Sequence, residues 1–187
     1  MYDVPVFFAT TEGQTQRIAE TIAASLRAAG LGSIALEVTS VAAQSFDWTN
    51  ARGAVLAASL HAGTHQRAAT EFAGRHVAHL SAVPSLFVSV SLSAASRNPE
   101  ERLAAERLAR GFGAAIGWTP SRVACVAGAL AYTRYSFLKR WFMKRIARKE
   151  GGPTDTTRDH ELTDWAALAR LVSEFAGRVQ RAPAVTS

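Results

Sequence analysis

Short apolar runs alternate along this chain with longer stretches in which apolar positions recur every three or four residues. The first run, VPVFF (4–8), gives way to residues 14–29, where Ile18, Ile22 and Leu26 stack one turn apart and Gly30 offers a stop. A strand that leads straight into a helix is expected. IALEV (34–38) reads as a second strand and GAVLAAS (53–59) as a third, so uniformly apolar that both of its faces must be covered. Positions 66–80 predict a helix, SLFVSVS (85–91) a fourth strand, and 99–116 a helix whose Pro99, Glu100 and Glu101 suit a first turn. VACVAGAL (123–130) reads as the fifth strand. The final helix is expected to start from a capping Thr163 and to carry Trp165, Leu168, Val172, Phe175 and Val179 on one stripe, with Trp165 in the core.

Five strands separated by helices predict an α/β fold, one parallel sheet covered by helices on both faces. At 187 residues and 48% hydrophobic, the chain is long enough for one sizeable core, and no Gly/Pro/Ser-rich linker divides it. One domain over 1–181 is expected, with 134–153 as an inserted basic helix and loop and 182–187 as a loose tail. There is no run of about 18 uncharged apolar residues, and the N-terminus enters a strand without a basic leader. Neither a spanning helix nor a signal peptide is expected, which points to a cytoplasmic protein. The single cysteine, Cys125, excludes a disulfide framework and offers no metal-ligand spacing. It is expected to be a buried strand thiol.

In sheets of this kind ligands sit outside the carboxyl ends of the strands. The turn after the first strand holds Thr10, Thr11, Glu12, Gly13, Gln14 and Thr15, where free backbone N–H groups and the helix dipole favour a phosphate. Hydroxyls add donors there, and Gly13 lets the backbone come close. The pattern is neither GxGxxG nor a GxxxxGK loop, which counts against dinucleotide and nucleoside-triphosphate sites. A plain polar turn capping a helix would use the same residue types.

Two further loops fall at the same end of the sheet. One contains Ser59, Leu60, His61, Ala62 and Gly63, the other Ser91, Leu92 and Ser93. Small residues in both leave room for a flat ligand. His61 and His65 have the chemistry of acid/base or metal groups, yet no Cys, Asp or Glu cluster accompanies them. No metal is expected, and the two histidines read as polar lining or surface groups, with substrate contact the sharper alternative. Asp155 and Asp159 read as turn caps.

Charge changes this picture in one place. Between Arg134 and Glu150 there are seven basic residues and one acidic, while the rest of the chain is balanced, so the whole net charge of +6 sits in that segment. Phe137, Leu138, Trp141, Phe142 and Ile146 fall near one side of a helix drawn through it, with the lysines and arginines over the rest. Arg134, Lys139, Arg140, Trp141, Phe142, Lys144 and Arg145 are the candidates for contact with an anionic membrane surface or an anionic substrate. A packed helix with a solvated basic face is the plainer account. Basicity this localised does not describe a nucleic-acid-binding fold, and no nucleic-acid partner is expected.

The ATTEGQT turn resembles the phosphate loop of flavodoxins, with Gln14 in the usual Asn place. More specifically, EGQTQRIAE near the start, AGALAYTRYSFLKRWFMKRIARKEGGPTDTT in the last third and ELTDW before the final helix resemble the menaquinone-dependent protoporphyrinogen IX dehydrogenase family. The similarity runs in the same order over nearly the whole chain. It implies a flavodoxin-like three-layer sandwich of strand order 2-1-3-4-5 that holds FMN without a covalent bond. By position, Thr10 to Thr15 would hold the ribityl phosphate, and Ser59 to Gly63 with Ser91 to Ser93 would flank the isoalloxazine. Members of that family oxidise protoporphyrinogen IX to protoporphyrin IX in haem biosynthesis and pass electrons to a quinone, here menaquinone or ubiquinone. The flavin supplies the redox chemistry, which leaves no role that demands a catalytic side chain.

The resemblance also implies peripheral association with the inner face of the cell membrane and allows a homo-oligomer. The second loop departs from the family pattern by carrying LHAGTH in place of an aromatic and a basic residue. The competing readings are an FMN-dependent NAD(P)H:quinone oxidoreductase and a flavodoxin-type electron carrier without a substrate of its own. Flavodoxins are strongly acidic, so the basic segment counts against the carrier.

Overall fold

The computed structural model describes residues 2–61, 63–130, 133 and 155–182. β1 (Val4–Ala9), β2 (Ser33–Glu37), β3 (Ala54–His61), β5 (Ser85–Ser91) and β6 (Arg122–Ala127) form a parallel sheet in the order β2-β1-β3-β5-β6. The fourth strand in sequence, β4 (Thr64–His65), pairs antiparallel with the end of β3. Among the five long strands the order is therefore the expected 2-1-3-4-5, with pairs such as Val6–Val55 and Val88–Ala124 in register.

Strand residues divide by parity between two cores. Val4, Val6, Val55, Ala57, Leu86 and Val88 face one side, where α1 (Gln14–Ala28) and α6 (Trp165–Arg181) cover them with Ile18, Ile22, Leu168 and Phe175. Phe7, Leu56 and Phe87 face the other, under α3 (Arg67–Arg75), α4 (Val77–Ala82) and α5 (Pro99–Ala115). The short α2 (Val41–Gln44) lies on that side as well. Period-two alternation with apolar residues at both parities is what a sheet buried on both faces requires.

Four expectations need correction. The helix expected over 66–80 is two helices, because the chain turns at His76, whose ring packs 4.5 Å from Phe72 and 5.6 Å from Trp48. The fifth apolar run is not one strand. It leaves the sheet at Gly128, whose N–H donates to Ser91 O, and continues as β7 (Ala129–Leu130), paired with β8 (His160–Glu161). The last helix is capped by Asp164, which accepts from the Ala167 N–H at 2.8 Å, and not by Thr163. Cys125 and Trp165 are half-buried at the margins of the two cores, because β6 is an edge strand and Trp165 lies at the open end of α6 under the Arg17 guanidinium.

Asp155 caps its own turn by accepting from the Thr157 N–H and hydroxyl, and Asp159 accepts from those of Thr133. The stretch 134–153, with every basic and aromatic residue singled out there, and the tail at 183–187 lie outside the described residues.

Candidate functional site

The turn between β1 and α1 is shaped by one glycine. Gly13 sits at φ 90°, a left-handed conformation that other residues adopt at a cost, and its N–H donates to Thr10 Oγ1 at 3.0 Å. This hydrogen bond folds the turn back on itself and leaves the start of α1 without a side-chain cap. The first-turn N–H groups, which have no acceptor within the helix, face out at its positive end. Thr15 is buried and Thr10 half-buried, so hydroxyls stand beside those donors.

Gln14 behaves differently from the sequence expectation. Its side-chain amide donates to Glu161 Oε1 at 2.8 Å and to Thr163 Oγ1 at 2.9 Å, so both amide hydrogens are committed away from the turn. What Gln14 offers a phosphate is its main-chain N–H. The Gln66 amide, which sequence reasoning did not single out, donates to Thr11 Oγ1 and ties the first turn to the second loop.

The second loop is a hairpin and not an irregular loop. β3 runs on through Ser59 and Leu60 to His61, Gly63 takes the bend at φ 82°, and Thr64–His65 returns along the strand. Ala62 lies outside the described residues. Ser59 is 7% exposed, and its Oγ is buried with no hydrogen-bond partner. A buried hydroxyl in that condition costs about 1–3 kcal/mol unless a bound group completes it.

His65 is where the structure departs furthest from a surface role. Its Nε2 lies 2.9 Å from Ser89 Oγ, and its ring meets Phe87 and Phe112 edge-on at 5.2 and 5.1 Å. Phe87 and Phe112 themselves stack at 4.4 Å. Burial pushes the His65 pKa down from its ordinary value to about 4, so the imidazole is neutral at physiological pH. It anchors the hairpin instead of presenting charge.

At the end of β5, Ser91 Oγ accepts from the Ala94 N–H at 3.2 Å and holds the single turn at Ser93–Ala95. Asn98 then caps α5 through the Glu100 N–H, and Glu101 accepts from the Ser96 hydroxyl at 2.7 Å. These three regions close around one cavity of about 1010 Å³. Thr10, Thr11, Glu12, Gln14 and Thr15 line one end. Ser59, Leu60, His61 and Gly63 with Ser91, Leu92 and Ser93 line the middle. Gly13 faces an adjoining smaller cavity of about 620 Å³ beside Arg17 and Glu161.

One wall went unpredicted. Ala104, Ala105 and Leu108 of α5 face the cavity, as do Gly128 and Ala129 beyond β6. Two adjacent small residues and an apolar one on the helical repeat of α5 carried that signal, but the same residues also suit a helix packed on a sheet. The arrangement can take an anionic group at the uncapped helix start and a flat apolar body between small residues and strand ends.

Residues 5–157 match the Flavodoxin domain family. The chain is 36% identical over 172 residues to a protein named protoporphyrinogen IX dehydrogenase (quinone) from Escherichia coli (strain K12), covering 91% of this chain and 93% of that one. It is 34% identical over 173 residues to a protein of the same name from Leishmania major, covering 91% of this chain and 73% of that one. Among solved structures, oxidised flavodoxin 1 from Bacillus cereus superposes with TM-score 0.54 at 14% identity, over 96% of this chain and 99% of that one. A cysteine-to-serine mutant of flavodoxin from Pseudomonas aeruginosa gives 0.59 at 12% identity, over 95% and 98%. The likeness to the solved structures is one of fold.

Proposed function

The chain belongs to the protoporphyrinogen IX dehydrogenase (quinone) family of flavodoxin-domain proteins, and from that membership we propose that it oxidises protoporphyrinogen IX to protoporphyrin IX in haem biosynthesis. FMN is the non-covalent cofactor, and a membrane quinone, menaquinone or ubiquinone, accepts the electrons. The observation that carries this reading is a single cavity joining an uncapped helix start to the orphaned Ser59 hydroxyl. One end suits a phosphate; the middle has a buried hydroxyl in want of a partner.

Bound there, FMN supplies two-electron redox chemistry. The protein's part is to bind, orient and exclude water. Thr10, Thr15 and the N–H groups at the start of α1 would hold the phosphate with hydroxyls and the helix dipole. Ser59 and Ser91 would meet the polar edge of the ring. Ala104, Ala105 and Leu108 form an apolar wall against which a second flat molecule can lie.

The charged segment supports a peripheral position on the inner face of the cell membrane. Trp141 and Phe142 are flanked by the basic pairs Lys139–Arg140 and Lys144–Arg145 in a pattern that suits the headgroup boundary, and the same cations would draw the two propionates of a porphyrinogen. Replacing Trp141 and Phe142 with Ser is expected to abolish sedimentation with anionic vesicles while flavin content stays unchanged. Retained vesicle binding would remove the membrane assignment.

The function itself is tested anaerobically. Protoporphyrinogen IX is expected to bleach the oxidised flavin band of the FMN-loaded protein, and a soluble quinone to restore it as porphyrin fluorescence appears. If the band persists with porphyrinogen and bleaches with NAD(P)H, the protein is a nicotinamide-fed quinone reductase.

A further inference from the structure

The ELTDW stretch does more than cap the last helix. The three residues before that cap tie together two walls of the cavity, the start of α1 and the end of β6. Glu161 uses both carboxylate oxygens on α1, accepting from the Gln14 amide at 2.8 Å through Oε1 and from Arg17 Nη1 at 2.8 Å through Oε2. Leu162 donates its N–H to Gly128 O at 3.1 Å, and Gly128 in turn donates to Ser91 O at 3.1 Å. Thr163 donates its hydroxyl to Ala127 O at 2.7 Å and accepts the second hydrogen of the Gln14 amide at 2.9 Å.

The donor and acceptor count is consistent throughout. Thr163 spends its one hydrogen on Ala127, which leaves a lone pair for Gln14, and Gln14 spends its two hydrogens on Glu161 and Thr163. We infer that Glu161, Leu162 and Thr163 are positioning residues that lock the first turn of α1 in register with the ends of β5 and β6, and so set the phosphate turn for its ligand. The inference rests on the FMN reading of the cavity and adds the mechanism by which a segment outside it governs cofactor affinity.

The role is one of geometry more than of charge. The Arg17–Glu161 pair has side chains 60% and 34% exposed, and such pairs contribute little by themselves. The Gln14–Glu161 bond is different, because a neutral amide donating to a carboxylate fixes a direction. Gln14 is the first residue of α1, so what fixes its side chain also fixes the N–H groups that would meet a phosphate.

Comparing FMN with riboflavin, which lacks the phosphate, isolates this effect from general damage to the fold. Glu161→Ala is expected to weaken FMN binding about tenfold, the loss of one charge-assisted hydrogen bond, with riboflavin affinity unchanged. Glu161→Gln keeps an acceptor for Gln14 and is expected to restore most of the affinity, and Thr163→Val should weaken FMN without affecting riboflavin. Unchanged FMN affinity in Glu161→Ala, or equal weakening of both ligands, overturns the inference. Should the wild-type chain bind neither ligand, the FMN reading falls first and the inference with it. Wild-type binding with an indifferent Glu161→Ala sinks the inference alone.

Discussion

The turn between β1 and α1 and the β3–β4 hairpin stand at the same end of the same sheet, yet opposite means hold them. The turn is fixed by polar side chains, the half-buried Thr10 and Gln14, the exposed Glu161 and the buried Thr163, and by a glycine in a left-handed conformation. The hairpin is fixed by burial, with neutral His65 pressed against the Phe87–Phe112 stack and bonded to Ser89. An anion site needs unpaired donors that water can reach before the ligand arrives, whereas a wall for a flat ring needs rigidity. The two holding schemes match what the proposed FMN site would ask of each.

The strongest way to break the comparison is through the stack. Phe112 is buried and faces both His65 and Phe87, and Phe112→Ala is expected to cost about 3–5 kcal/mol in urea unfolding. A loss below about 1 kcal/mol, typical of surface sites, would mean that packing does not hold the hairpin.

The next effect is read by pH. The His65 pKa lies at about 4 in the folded chain and near 6.5 unfolded, so the unfolded chain binds the extra proton between those values. Stability from this group is present above pH 6.5 and is lost as pH falls toward 4. Discounted for the part of the ring that water reaches, the loss is about 2 kcal/mol. His65→Phe should show a flatter profile over that window, and an unchanged slope would refute the neutral anchor.

On the other side of the comparison the effects are smaller. Gly13→Ala places a Cβ at φ 90° and is expected to cost about 1 kcal/mol in stability, with weaker FMN binding and an unaltered pH profile. Arg17→Met removes one exposed ion pair and one cation–π contact at 5.0 Å, for about 0.5–1 kcal/mol by thermal unfolding. If Arg17→Met matched Phe112→Ala, the division between a polar turn and a packed hairpin would be wrong.

What could be read from the sequence divides along the same line. The turn between β1 and α1 was legible because its determinants are local: hydroxyls, a glycine and the first turn of a helix lie within six residues, 10–15. β5 matched over Ser85–Ser91 because polar and small residues bound its apolar run. The break at Gly128 was not legible, since it depends on partners at Ser91 and Leu162 that only the fold brings near. Thr163 and Asp164 are both good caps in isolation, and a bond to Ala127 O decides between them. His65 sat in a run of polar and small residues, and nothing local announces that two phenylalanines from β5 and α5 enclose it.

The edge position of Cys125 has a consequence for oxidative wear. Burial, reinforced by Glu106 and only partly offset by Arg110, pushes its thiol pKa above the ordinary value, so little thiolate exists at neutral pH. Peroxides and disulfides attack the thiolate far faster than the thiol. A chain proposed to pass electrons all its life thus carries its only sulfhydryl in the form least open to sulfenylation, and alkylation of Cys125 becomes a clock for the fraying of the β6 edge.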